Sequence, residues 1–155
     1  MRLTDILQPD CVIVPLDAAD KKQAIFTLAD RLVAKTPIAD ADALKQAIWQ
    51  RETTRTTGIG HGIGIPHGKA PGVDQLRMVI GRTATPIDFG AIDSKPVDLI
   101  LLLASPIDQT GPHIQALARI SRLLTDPDFR QQLKEAQSPE ALYELIANHE
   151  AQTAV

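Results

Sequence analysis

The stretch from Thr56 to Lys69 carries the residues best suited to chemistry. Glycine at 58, 60, 62 and 64 alternates with Ile59, His61 and Ile63, and Ile65-Pro66-His67-Gly68-Lys69 follows. Alternating glycines remove one row of side chains, so either the backbone turns sharply here or another group approaches it closely. A dinucleotide-binding turn needs glycine at relative positions one, three and six; counted from Gly58, Gly60 or Gly62, the sixth residue is Ile63, Ile65 or His67. A triphosphate-binding loop needs Ser or Thr after Gly-Lys, but Ala70 follows Gly68-Lys69 and offers magnesium no oxygen. Neither nucleotide pattern is met. His61, His67 and His113 could supply three imidazoles to zinc, but no Asp or Glu lies between Thr53 and Val73. The chain between His61 and His67 also holds too much glycine and proline for a helical histidine pair.

Nucleophilic use of His67 fits better. Imidazole has a reference pKa of about 6.5, so its neutral form is abundant near neutrality. Phosphoryl transfer asks mainly for positioning and for compensation of charge on the oxygens. Pro66 fixes the approach to His67, and Gly68 leaves room beyond it. One ring nitrogen must be held by an acceptor such as a backbone carbonyl, so that the other presents its lone pair; the spacing does not say which. Pro112 suits a first helical position, with Thr110 or Gly111 as the cap, and His113 would then lie in the first turn, where an anion is favoured. By position alone, His113 reads first as a half-buried residue opening an apolar stripe; alternatively it donates a hydrogen bond to a phosphoryl oxygen. His149 reads as a surface residue.

The elements that must position these residues alternate between strand and helix. Cys11 to Leu16 predicts a strand at or near a sheet edge, because Pro15 interrupts it. Ile25, Leu28, Ala29, Leu32 and Val33 share a helical face, capped by Asp17 or Asp20 and ended at Thr36-Pro37. A second helix is predicted from about Asp42 to Gln50, with Leu44, Ala47 and Ile48 as its stripe. Arg51 continues that stripe, and its guanidinium either snorkels to solvent or points into a site. Leu76 to Thr83 reads as a strand, Pro86 to Phe89 as a short extended piece, and Val97 to Ala104 as a central strand covered on both faces. Asp126-Pro127 and Ser138-Pro139 each open a helix after the one at Pro112. The expected organisation is one layered α/β domain over residues 1–150, with 151–155 a frayed tail and fraying already beginning at Glu150.

Composition narrows the function classes. The chain has 155 residues, 44% apolar and 23% charged, with 3% aromatic residues, so its core must be built from Ile, Leu, Val and Ala. A net charge of −3 without a basic stripe gives no reason to expect nucleic-acid binding. Cys11 is the single cysteine and reads as a small buried hydrophobe. No signal-like run follows Met1, and the longest apolar stretch, Leu99 to Ala104, is too short for a bilayer, so the expected compartment is the cytoplasm without membrane insertion.

With these residues placed, the chain resembles the enzyme IIA domains of the bacterial phosphoenolpyruvate-dependent phosphotransferase system, of the mannitol/fructose type, and more narrowly their free-standing nitrogen-regulatory branch. Arg51-Glu52, Thr57-Gly58-Ile59-Gly60, Gly64-Ile65-Pro66-His67-Gly68-Lys69, Phe89-Gly90-Ala91-Ile92-Asp93, Pro96-Val97-Asp98-Leu99 and His113 carry the resemblance. It implies a three-layer domain, a mixed β-sheet with helices on both faces, and neither metal nor organic cofactor. It implies that His67 is the phosphoacceptor at its tele nitrogen, charged by an HPr- or NPr-type carrier protein. It also implies that His113 and Arg51 stabilise the phosphoryl group, with Thr57 a further hydroxyl beside the glycines. His61 departs from the family's usual asparagine; a third imidazole there is either neutral in effect or makes the adduct's stability depend on pH, in which case His61→Asn flattens the hydrolysis profile.

Three functional outcomes follow from the resemblance. The chain carries neither the IIB nor the IIC component that sugar uptake requires, so its expected role is a signalling regulator whose phosphorylation state alters its binding to transport or sensor proteins. A fructose/mannitol-type uptake component, passing its phosphoryl group to a separate IIB, is the alternative. A protein-binding module that is no longer phosphorylated is the third.

Overall fold

The computed structural model describes residues 1–153. Six strands form one mixed sheet: β1 (Leu7–Leu16), β2 (Gly58–Gly60), β3 (Ile63–Gly64), β4 (His67–Lys69), β5 (Arg77–Ile87) and β6 (Val97–Ser105). The order across the sheet is β1-β5-β6-β3-β2, and β4 also pairs with β6. Five α-helices surround it: α1 (Lys21–Lys35), α2 (Ala41–Thr54), α3 (Thr110–Leu123), α4 (Pro127–Glu135) and α5 (Pro139–Thr153).

β6 is the spine. Leu99 to Ala104 are fully buried, as expected of a strand covered on both faces. On one side β6 pairs antiparallel with β5, from Arg77↔Ala104 to Arg82↔Leu99. On the other, β3 and β4 pair parallel to it in succession, Ile63 opposite Leu99 and His67 opposite Leu103. The break between them falls at Ile65-Pro66, where the Leu103 N–H donates to the Pro66 carbonyl at 3.0 Å. Proline ends the pairing without leaving an unmatched donor.

Alternation along the strands assigns the helices to faces. Gly68 lies on Ala47 and Ile48 of α2, and Gly81 under Leu28 of α1 and Leu16 of β1. His67, Lys69, Leu103 and Ser105 project the opposite way, where Ser105 meets His113 of α3 and Leu103 packs with Ala116. Helices therefore cover both faces. The core is aliphatic, with Phe89 and Phe129 its buried aromatic rings. Cys11 is fully buried, and burial pushes its thiol pKa up, which keeps the sulfur unreactive.

Local signals placed most boundaries. Asp20 accepts from the Gln23 N–H at 2.8 Å, Asp40 from Ala43 at 3.0 Å, Asp126 from Asp128 at 3.0 Å and Ser138 from Ala141 at 3.1 Å. β1 lies at the sheet edge, with Pro15 exposed. α2 continues to Thr54, four residues past the expected end, and β5 takes in the first half of the short piece expected from Pro86 to Phe89. α3 starts at Thr110 with Gln109 as its cap residue, so neither Thr110 nor Gly111 caps it and Pro112 is the third helical residue. The missing proline N–H still falls in the first turn, where it has no intrahelical partner to lose. The His113 N–H is not free for an anion; it donates to the Gln109 carbonyl at 3.1 Å.

The C-terminal segment is better held than the sequence suggests. Glu150, expected to fray, is 1% exposed and accepts from the Leu3 N–H at 2.6 Å, the Thr4 N–H at 3.2 Å and Arg119 Nε at 3.0 Å. α5 runs on to Thr153, while Ala154 and Val155 lie outside the described residues. His149, expected at the surface, is half-buried with its ring centroid 4.1 Å from that of Phe129. No helix among the described residues is long and apolar enough to cross a membrane.

Candidate active site

The alternating glycines serve both purposes expected of them. Gly60 (φ 96°) and Gly62 (φ 76°) flank His61 (φ 59°) in the tight connection between β2 and β3. Gly58 and Gly64 instead admit close neighbours: a Cβ at Gly58 would stand 2.7 Å from the Ala91 backbone, and one at Gly64 would stand 2.8 Å from the Phe89 ring. The ring of Phe89 thus packs directly beneath the strand pair that leads to His67.

His67 opens β4 with its orientation set locally. Its Nδ1 lies 2.8 Å from the Ile65 carbonyl oxygen. A carbonyl can only accept, so in the neutral ring Nδ1 carries the proton and Nε2 keeps its lone pair. Ile65 is held in turn by its N–H, which donates to the Thr57 carbonyl at 3.1 Å. The His67 pKa is lowered, chiefly by burial and secondarily by the Arg51 charge, against the opposing pull of the Ile65 carbonyl and Glu52. At neutral pH the ring is uncharged, with the Nε2 lone pair available.

His113 stands beside it, with ring centroids 5.3 Å apart and planes inclined at 57°. It is 7% exposed, and its Nδ1 is 2.6 Å from Ser105 Oγ. With the hydroxyl donating to Nδ1, the neutral ring carries its proton on Nε2 and can donate there. Burial above all, then the charges of His67 and Lys69, push its pKa down to about 4. This shift has a consequence for stability. Below the unfolded-state value near 6.5, the unfolded chain binds a proton that the folded site refuses, so stability falls as the pH drops until the folded ring also protonates near 4. Wild type should lose on the order of 2–3 kcal/mol across that window through this residue. Urea midpoints measured between pH 4 and 7 should fall less steeply for His113→Gln; parallel curves would contradict the shift.

Arg51 lies in the last turn of α2, half-buried. Its Nη1 donates to the Arg55 carbonyl at 2.9 Å, using one of five N–H donors. Arg51, Arg55, Ile59, Ile92 and Leu117 line a depression of about 320 Å³ together with His67. The guanidinium therefore borders the same depression as His67 rather than only snorkelling to solvent. Thr57 borders the same depression, but its hydroxyl donates to Oε1 of Glu52 and its N–H to Oε2 at 2.7 Å. It anchors the backbone, which corrects the expectation of a hydroxyl held out to a phosphoryl group.

His61 belongs elsewhere. It is exposed, its N–H donates to Asp93 Oδ2 at 3.1 Å, and its carbonyl accepts from Lys134 Nζ. It lines a separate depression with Asp93, Lys95, Asp98 and Lys134. The neighbouring Gly62 carbonyl accepts from Asp98 and Leu99, whereas His67 pairs with Leu103. At about 3.3 Å per residue, the two histidines sit roughly 15 Å apart along β6, beyond a physiological Debye length of about 8 Å. His61→Asn is accordingly expected to leave the pH profile of phosphohistidine hydrolysis unchanged between about pH 5.5 and 7.5. A flattened profile would restore the coupling. Among the described residues no cluster of three His, Cys, Asp or Glu is placed to hold a metal.

Two residues that support these side chains were given no role by the sequence. Ser105 merely ends an apolar run, and Glu52 continues an ordinary helix; only the fold brings one to His113 and the other to Thr57.

The site thus brings a neutral imidazole with a free Nε2 lone pair together with a second neutral histidine and an arginine, on a mixed sheet covered on both faces. Residues 5–149 match the family described as phosphoenolpyruvate-dependent sugar phosphotransferase system, EIIA 2, and the chain belongs to that family. It is 37% identical to a nitrogen regulatory protein of Bradyrhizobium diazoefficiens over 95% of each chain. It is 36% identical to a fructose-specific EIIA component of Haloferax volcanii, over 95% of this chain and 97% of that one. The nitrogen regulatory protein IIA-Ntr of Neisseria meningitidis has the same fold, with a TM-score of 0.86 and 27% identity over 93% of this chain and 98% of that one.

Proposed function

We propose that the chain is a phosphohistidine carrier that works in the cytoplasm and signals through its phosphorylation state. A phosphohistidine carrier protein of the HPr or NPr type docks over the depression, and Nε2 of His67 attacks its phosphorus in line. The new N–P bond forms as the old one breaks, and the electron pair of the broken bond returns to the donor's imidazole. Nδ1–H stays on the Ile65 carbonyl, which stabilises the positive charge growing on the ring. His113 Nε2–H and the Arg51 guanidinium meet the phosphoryl oxygens, a role that fixed donors perform without reorganisation.

The observation that carries this reading is the Ile65–His67 hydrogen bond, which leaves Nε2 as the available nucleophile in a depression containing Arg51. Around it, Ile59 and Ile92 are 40% and 69% exposed, an apolar rim suited to a protein partner rather than a small metabolite. Incubation with phosphoenolpyruvate, enzyme I and a carrier should yield an acid-labile adduct on the protein. No adduct with any HPr- or NPr-type carrier would favour the binding-module reading instead.

The likeness to nitrogen regulatory proteins supports regulation as the outcome. A phosphoryl group adds about −1.5 to −2 charges near pH 7, enough to alter docking around Arg51 and Arg55. The fructose-specific relative supports transfer to a separate IIB as the second reading. Partners captured differently by phosphorylated and unphosphorylated protein would support regulation. Rapid discharge onto a purified IIB would support transport.

A further inference from the structure

We propose that Glu52 is a positioning residue for His67: through Thr57 and Ile65, its buried carboxylate holds the imidazole with its proton on Nδ1 and its lone pair on Nε2. The effect on transfer rate rests on the phosphocarrier reading; the effect on the ring's tautomer rests on geometry alone.

Glu52 is 3% exposed in the last turn of α2. Burying a carboxylate is costly unless it is fully paired, and packing alone would be served as well by an apolar side chain. Here the charge is paired by three donors. Oε2 accepts from the Thr57 N–H at 2.7 Å and from Lys21 Nζ at 2.8 Å, and Oε1 accepts from the Thr57 hydroxyl. Two of the three belong to the residue that begins the glycine segment.

From Thr57 the fixation passes to the nucleophile in two further hydrogen bonds. The Thr57 carbonyl accepts from the Ile65 N–H at 3.1 Å, and the Ile65 carbonyl accepts from His67 Nδ1 at 2.8 Å. Each intermediate residue is held on both its backbone N–H and its carbonyl. The same carboxylate also steadies the underside of the strand pair. Its partner Lys21 donates to the Phe89 carbonyl at 2.9 Å and lies 4.4 Å over the Phe89 ring, which packs against Gly58 and Gly64. Loss of the Glu52 charge would leave Lys21 without its anion and loosen Thr57 together. The carbonyl that chooses the tautomer would then be free to shift, and a displacement of about 1 Å at a reacting group can cost about 10²-fold in rate.

Glu52→Gln and Thr57→Val test the link, with the unphosphorylated protein read first. In wild type, long-range ¹H–¹⁵N spectra should show His67 Nε2 as an unprotonated nitrogen. In Glu52→Gln a second, Nε2–H form should appear, and in Thr57→Val the same form at a lower population. Transfer from an HPr-type carrier should slow about 10- to 100-fold in Glu52→Gln, while KM for the carrier stays within about twofold, since a buried carboxylate cannot touch it. A folded Glu52→Gln with the wild-type tautomer and rate would overturn the proposal. If Glu52→Gln does not fold, a wild-type tautomer in Thr57→Val overturns it and a shifted one supports it. If wild type takes no label from the carrier, the phosphocarrier reading falls, and the imidazole spectra alone still decide for or against Glu52.

Discussion

His67→Ala should abolish the acid-labile adduct while leaving the protein folded. The imidazole is half-buried at the start of a three-residue strand, and its Ile65 partner is also held by Thr57. Truncation therefore removes the nucleophile and one hydrogen bond without opening the sheet. The loss should be complete, because His113 cannot substitute. That ring is 7% exposed, and its Nδ1 is committed to Ser105. A mass shift of one phosphoryl group should be present in wild type and absent in the variant under identical charging. Labelling that persists in a folded His67→Ala protein would move the acceptor elsewhere and remove the basis of the mechanism.

For His113→Ala the expected result is slow charging. A positioned donor to a developing phosphoryl charge is worth about 10²–10³ in rate, so the single-turnover rate from the carrier should fall by that factor. The fold should survive, with a moderate loss of stability from the truncated buried ring. At pH 7 the ring is already neutral, since its pKa lies near 4. Its contribution should therefore stay constant from pH 6 to 8, and the rate ratio of variant to wild type should not change across that range. A ratio that varied with pH would identify His113 as a titrating acid or base instead. A wild-type rate would reduce it to packing.

What the sequence made legible was local. Asp20, Asp126 and Ser138 cap helices through bonds to residues two or three positions on, so a short window contains both partners. The apolar run in β6 declares its own burial. The Ile65–His67 hydrogen bond spans two residues, and the need for such an acceptor could be stated before its identity was known. Beyond shifted element ends, the misses lay in partnerships that chain order does not display. His61 looked close to His67 because six positions separate them, but the connection between β2 and β3 reverses the chain and sends it to the opposite end of β6. Thr57 looked like a free hydroxyl because nothing marks Glu52 as its buried acceptor. Glu150 looked terminal and solvated because its partners, Leu3 and Thr4, lie at the other end of the chain.

That last arrangement bears on how such a domain can be reused. Glu150 fastens the start of the chain to its final helix, and through Arg119 to α3, the helix that supplies His113. Leu3, Thr4 and the last turn of α5 therefore lie side by side, joined in part by one carboxylate. A domain whose ends meet in this way can be spliced into a longer polypeptide, or tethered from either terminus, with little disturbance to the sheet edge that carries the nucleophile. One architecture can then travel between free-standing and fused contexts while its chemistry stays in place.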